Sequence, residues 1–174
     1  TMAEYWRYSD SASEEAPLYL FERDFANVPG LDADYSVPPF FAPDATHGSD
    51  LFSLLGAERR PDHKWLVVGP KRSGSIFHID PNQTNAWNVV IKGRKKWIFY
   101  PPHSDPPGVK SSTDGADVAV PLSTGEWLLT FWDHHMEARR HPDPSQRPLE
   151  CFLEEGEAIF VPHGWWHMVV NLED

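Results

Sequence analysis

The chain contains a single cysteine, Cys151, so no internal disulfide can close and no zinc site can be built on cysteine pairs. That scarcity points to a reducing compartment. No run of some 18 apolar residues occurs, and Thr1-Met2-Ala3-Glu4 is followed by no apolar stretch, so neither a membrane span nor a secretory signal is expected. Basic residues are the minority, 15 Lys and Arg against 26 Asp and Glu, for a net charge of −11. Apart from Arg94-Lys95-Lys96 and Arg139-Arg140 the positive charges are scattered, which disfavours binding to phosphate backbones and leaves no nucleic-acid site evident. There is no Gly-x-Ser-x-Gly elbow, and Gly69-x4-Gly74 runs into Ser75-Ile76 where a phosphate loop needs Lys-Ser/Thr. Cys151 has no activating partner in the sequence, so nucleophilic catalysis is left without a candidate.

What the sequence does have is 8 Trp, 17 Pro and 11 Gly in 174 residues, which suits one compact β domain of short strands. The first sixty residues are acidic and proline-rich, with apolar islands at Pro17-Leu18-Tyr19-Leu20-Phe21 and Val37-Pro38-Pro39-Phe40-Phe41, and the prolines exclude long helices there. Ser49-Asp50 ahead of Leu51, Phe52, Leu54 and Leu55, with Gly56 behind, predicts a short capped helix. From Lys64 onward eight strands are predicted: 65–68, 75–79, 87–91, 95–100, 127–131, 151–153, 158–161 and 167–172. Turn residues between them indicate a sandwich or barrel. Residues 101–119 and roughly 133–148 read as polar loops, the first of them mobile.

In Ser75-Ile76-Phe77-His78-Ile79-Asp80, period two puts Phe77 and Ile79 on one face and His78 with Asp80 on the other, roughly 7 Å apart along the strand. The segment 156–171 runs strand, Pro162/Gly164 turn, strand, with His167, Val169 and Asn171 sharing a face. Two histidines and a carboxylate with open positions make the ligand set of non-haem iron(II) oxygenases. A surface His-x-Asp ladder and a buried His167 satisfied by backbone explain the same residues without a metal. The other histidines, among them His47, His63, His103, His134, His135, His141 and His163, read as surface residues of polar loops. In Lys95-Lys96-Trp97-Ile98-Phe99-Tyr100 both faces are apolar, so one lysine either points inward and needs an anionic partner or snorkels from the strand end. Asn88, inside Trp87-Asn88-Val89-Val90-Ile91, likewise needs a hydrogen-bond partner.

With these residues in hand the chain resembles the JmjC-domain dioxygenases, which use iron(II) and 2-oxoglutarate, and within them the protein lysyl hydroxylase/arginine demethylase branch. The likeness runs through Pro17–Phe21, Val37–Phe41, Gly69-Pro70-Lys71-Arg72-Ser73-Gly74, His78-Ile79-Asp80-Pro81, Ala86-Trp87-Asn88, Gly93-Arg94-Lys95-Lys96-Trp97 and Phe160-Val161-Pro162-His163-Gly164-Trp165-Trp166-His167. Residues 156–171 also match the second cupin motif, Gly-x5-Pro-x-Gly-x2-His-x3-Asn.

The resemblance implies a mainly β double-stranded β-helix, a jelly-roll of the cupin kind, over 61–174, with 1–60 as an N-terminal lead-in packed on it. It implies His78, Asp80 and His167 as catalytic iron ligands, Lys95 as the partner of the far carboxylate of 2-oxoglutarate, and Ser75, Asn88 and Tyr19 as further cosubstrate contacts. The implied reaction consumes dioxygen and 2-oxoglutarate, releases succinate and carbon dioxide, and hydroxylates a protein side chain, lysine ahead of an N-methyl group of arginine or lysine on histones or other basic proteins. The expected partner is a Lys/Arg-rich protein or peptide, and the expected location is intracellular, the nucleus by analogy alone. A metal-binding module without oxygenase activity, or a zinc cupin binding a small molecule, uses the same three ligands. Only seven residues follow His167, so a further strand with a cosubstrate hydroxyl is expected beyond Asp174.

Overall fold

A computed structural model of the protein describes residues 1–31, 33–41, 50–110 and 122–174. It forms two compact units, Leu20–Val68 and the pair Thr1–Tyr19 with Gly69–Asp174. His47 and residues 111–119 of the expected long loop lie outside the described residues.

In the smaller unit, strands β1 (Leu20–Glu22) and β2 (Leu66–Val68) pair antiparallel. The predicted short helix is a single 3-10 element over Leu51–Leu55. The Asp50 carboxylate accepts from Phe52 N at 3.1 Å, and Gly56 at φ +73° ends it, a conformation open to glycine.

The larger unit begins with helix α1 (Met2–Ser9), closed by a capping box in which Thr1 and Glu4 satisfy each other's backbone N–H. Its main sheet runs in the order β3 (Gly74–His78), β8 (Trp166–Asn171), β5 (Lys95–Tyr100), β6 (Leu149–Leu153), and a second sheet pairs β4 (Ala86–Val89) with β7 (Ala158–Val161). All these pairings are antiparallel, as a mainly β jelly-roll requires. Residues directly opposite across a ladder share a face. Lys95↔Asn171, Trp97↔Val169 and Phe99↔His167 therefore define one side of the main sheet. Trp97, Phe99, Leu153 and Val169 of that side pack with Val90 and Val161 from the β4/β7 side into one apolar cluster. The opposite side contributes Phe77, Ile98, Tyr100, Trp166 and Met168 to a second cluster closed by Trp127.

Trp127 sits on helix α2 (Thr124–Ala138), which replaces the strand predicted over 127–131 and the first part of the polar loop predicted over 133–148. A five-residue apolar run does not separate a strand from a buried helix face. The deciding signal is Ser123, whose hydroxyl accepts from Glu126 N at 2.9 Å, with Trp127, Phe131 and His135 following at helical spacing. Leu129 on the far side of the helix is 89% exposed. The described part of the first loop is anchored, because Trp127 Nε1 donates to Pro107 O at 2.7 Å and Val109 joins the second cluster.

The helix also corrects the reading of His135, which is fully buried rather than a surface residue. Its Nδ1 lies 2.9 Å from the Tyr100 hydroxyl, while Nε2 is buried without a partner. Burial pushes its pKa down. An unfolded chain therefore protonates here first, and stability falls as pH drops below about 6.5. His135→Leu is expected to flatten that acid limb of the stability–pH curve, at a cost of about 1 kcal/mol for the stranded Tyr100 hydroxyl. Urea titrations at several pH values read both effects, and an unchanged acid limb refutes the assignment. His63, His103, His134, His141 and His163 are exposed, as expected.

Candidate metal centre

Strand β3 carries one more residue than its partner between two pairings: Ser75 faces Val169 and His78 faces His167. The bulge turns Ser75 and His78 to the same side, where strict period two would set them on opposite sides. Phe77 goes instead to the cluster under α2. Gly74 is held close to β8, since a Cβ there would lie 2.0 Å from Val169 O. The extended backbone of Asp80, just past the strand, brings its carboxylate back beside both rings.

The ligand atoms of His78, Asp80 and His167 lie within 4.8 Å of one another. Asp80 Oδ1 is 3.8 Å from His78 Nε2 and 3.7 Å from His167 Nε2. Each imidazole is oriented from behind, His78 Nδ1 on Ile76 O at 2.7 Å and His167 Nδ1 on Trp165 O at 3.1 Å. A carbonyl facing Nδ1 accepts a hydrogen bond from it, which favours the tautomer with its proton on Nδ1 and a lone pair on Nε2 for a metal. Burial, then the neighbouring His78, pushes the His167 pKa down to about 3, so the ring is neutral at neutral pH. Burial raises that of Asp80. Two imidazole nitrogens and a partly desolvated carboxylate around one point fit a divalent cation, which would offset the carboxylate's lost water.

On the same side of the sheet as His167, four residues further along the ladder, lies Lys95, which settles which lysine points inward. Its Nζ donates to the Tyr19 hydroxyl at 2.7 Å, and burial alone lowers its pKa to about 8. Among the described residues no carboxylate is paired with it. Lys96 takes the other side, on Glu150 at 2.5 Å and over the Phe152 ring. Asn88 shares the inward side with Ala86 and Val90, and its amide oxygen is buried without a partner. A partly buried ammonium with no carboxylate partner among the described residues and an orphaned amide on the inward side fit a small anionic ligand. Ser75 lies on that side as well, opposite Val169.

Asn171, noted in the sequence on the face of His167, was given no role there. The buried Asn171 side chain donates to Ser73 Oγ at 2.9 Å and hydrogen-bonds the Tyr19 hydroxyl. The available signal was its place on the face of His167, two pleats along the same strand. Cys151 is half-buried opposite Trp97, its thiol pKa raised by burial, in keeping with a residue that carries no chemistry.

The model of the cupin-like domain matches residues 2–174. The chain is 51% identical over 174 residues to the arginine-specific demethylase JMJ22 of Arabidopsis thaliana, covering 99% of this chain and 32% of that protein. It is 36% identical to the bifunctional arginine demethylase and lysyl-hydroxylase psr-1 of Caenorhabditis elegans, over 99% of this chain and 42% of the relative. It is 31% identical to the 2-oxoglutarate and iron-dependent oxygenase JMJD4 of Danio rerio, over 98% and 38%. The chain thus spans less than half the length of these relatives.

Proposed function

Since this chain belongs to the cupin-like domain family, on its JmjC side, we propose that it is an iron(II)- and 2-oxoglutarate-dependent oxygenase of protein side chains. The observation that carries this reading is the convergence of His78 Nε2, His167 Nε2 and the Asp80 carboxylate on the side of the sheet that also carries Lys95, which has no carboxylate partner among the described residues. When bound, iron(II) with 2-oxoglutarate and dioxygen supplies an oxidant strong enough to replace an unactivated C–H by C–OH.

The protein's own contribution is positioning. His78, Asp80 and His167 would hold the metal from one side, leaving its other positions open. The carbonyls of Ile76 and Trp165 fix the orientation of both imidazoles. Lys95 would hold the far carboxylate of the cosubstrate, and Ser75, Asn88 and Tyr19 supply further hydrogen bonds. Trp97, Phe99 and Val169, all buried on this side, exclude water and strengthen that ion pair.

The substrate in this reading is a Lys/Arg-rich protein segment, and the net charge of −11 supports it by attracting cationic chains. Lysyl hydroxylation and N-methyl demethylation both fit the names of the relatives. The single cysteine supports an intracellular site of action. The test is mass spectrometry of basic peptides, with and without N-methyl groups, after incubation with the chain, iron(II) and 2-oxoglutarate. Succinate together with one added oxygen on lysine, or the net loss of CH2 from a methylated residue, is the expected result. Metal and cosubstrate binding with no succinate from any peptide, in a chain extended to the length of the relatives, overturns it in favour of a binding module.

A further inference from the structure

Tyr19 reaches the site from outside the sheets. It is the last residue of the N-terminal segment, and its hydroxyl meets Lys95 Nζ at 2.7 Å. After Tyr19 the chain enters strand β1, which is held by its ladder; before it, the backbone is held by other means. Both backbone polar groups of Leu18 are held by helix α1: Leu18 N donates to the Tyr8 hydroxyl at 2.7 Å, and the Tyr5 hydroxyl donates to Leu18 O at 3.0 Å. The Tyr8 hydroxyl in turn donates to Glu14 Oε1 at 2.7 Å.

The same segment is gripped a second time by Arg72. Its guanidinium donates to Ala12 O at 2.9 Å and to Glu14 O at 2.8 Å. Its backbone is fastened to the end of β8, with Arg72 N donating to Asn171 O and Asn171 N to Ser73 O, both at 2.8 Å. Arg72 holds φ +75°, uncommon for a residue with a side chain. The fork of an arginine bridging several carbonyls accounts for that residue type, since a lysine offers a single point of attachment. The loop closes on itself, because the Asn171 that anchors the Arg72 backbone also bonds the Tyr19 hydroxyl.

We propose that Arg72 and Tyr8 are positioning residues for the cosubstrate pocket, holding the chain at residues 12–18 so that the Tyr19 hydroxyl stays on Lys95. This rests on the oxygenase reading above. Preorganised contacts hold a ligand without the ordering cost of a loose segment. The experiment is calorimetric titration of 2-oxoglutarate into the full chain loaded with Mn(II). Tyr8→Phe and Arg72→Lys are each expected to weaken 2-oxoglutarate binding about tenfold, with Mn(II) affinity unchanged. In a Tyr19→Phe background the same two changes add nothing further, because their effect passes through that hydroxyl. Wild-type affinity in both single variants, or a full additional loss in the Tyr19→Phe background, overturns the proposal. The two variants break separate bonds, so either decides the matter if the other fails to fold. Absence of 2-oxoglutarate binding by the wild-type chain is a different outcome, and it sinks the oxygenase reading and this inference together.

Discussion

Asp80→Ala is expected to lower 2-oxoglutarate turnover by more than about 100-fold, since even a residue behind a ligand is worth some 10- to 100-fold in metal affinity or activity. Asp80 brings the only carboxylate to the trio, facing the two imidazole nitrogens across 3.7 and 3.8 Å. Without it two nitrogens remain, too few for a divalent ion in competition with water. The stability effect has the opposite sign. Burial raises the Asp80 pKa, so in the metal-free chain the ionised carboxylate costs stability at neutral pH and its stabilising contribution is confined to acid. Removing it should leave the metal-free Tm equal or higher, while the rise in Tm on adding Mn(II) disappears. Thermal melts with and without the metal separate the two terms. A variant that keeps the metal-induced rise would show that the ion sits elsewhere.

The three residues that the structure gathers at one point were legible because their signal is local. His78 and Asp80 are two residues apart, and the Pro162/Gly164 turn delivers His167 into a strand whose alternation is unbroken. Strands β5 and β7 fall at their expected bounds for the same reason: each is a run of β-forming residues between turn residues. What stayed hidden depends on partners. The bulge between Ser75 and His78 exists only relative to β8, so no periodicity of β3 alone reveals that both face the site. The choice between Lys95 and Lys96 needed the ladder that sets Lys95 opposite Asn171, and the Glu150 carboxylate that claims Lys96. The burial of His135 followed from α2, whose Ser-x-x-Glu start was readable but outweighed by an apolar run that suits either element. The Leu18 grip joins residues that no sequence spacing relates.

Lys95 gives the second large effect, because the same buried ammonium enters two equilibria with opposite signs. Its pKa, ordinarily 10.5, is lowered to about 8 by burial, so between these values the unfolded chain binds more protons than the folded one. Stability of the metal-free protein should therefore rise with pH from about 8 to 10.5, as the folded lysine sheds a charge it cannot solvate. Binding of 2-oxoglutarate needs that charge, so its affinity should fall about tenfold per pH unit above 8. Lys95→Met abolishes both slopes at once. It keeps a flexible chain in the apolar space, removes the desolvated charge, and should weaken 2-oxoglutarate binding at neutral pH by at least about 100-fold, the usual cost of leaving a buried ion partnerless. Lys96→Met, which strips Glu150 of a partner on the other side of the sheet, should leave that affinity in place. Calorimetry on the Mn(II)-loaded chain and urea unfolding across the same pH range measure the two slopes independently. Cosubstrate affinity that is flat through pH 8 to 10 would place the far carboxylate on some other group, whereas flat stability would mean that Lys95 keeps its water.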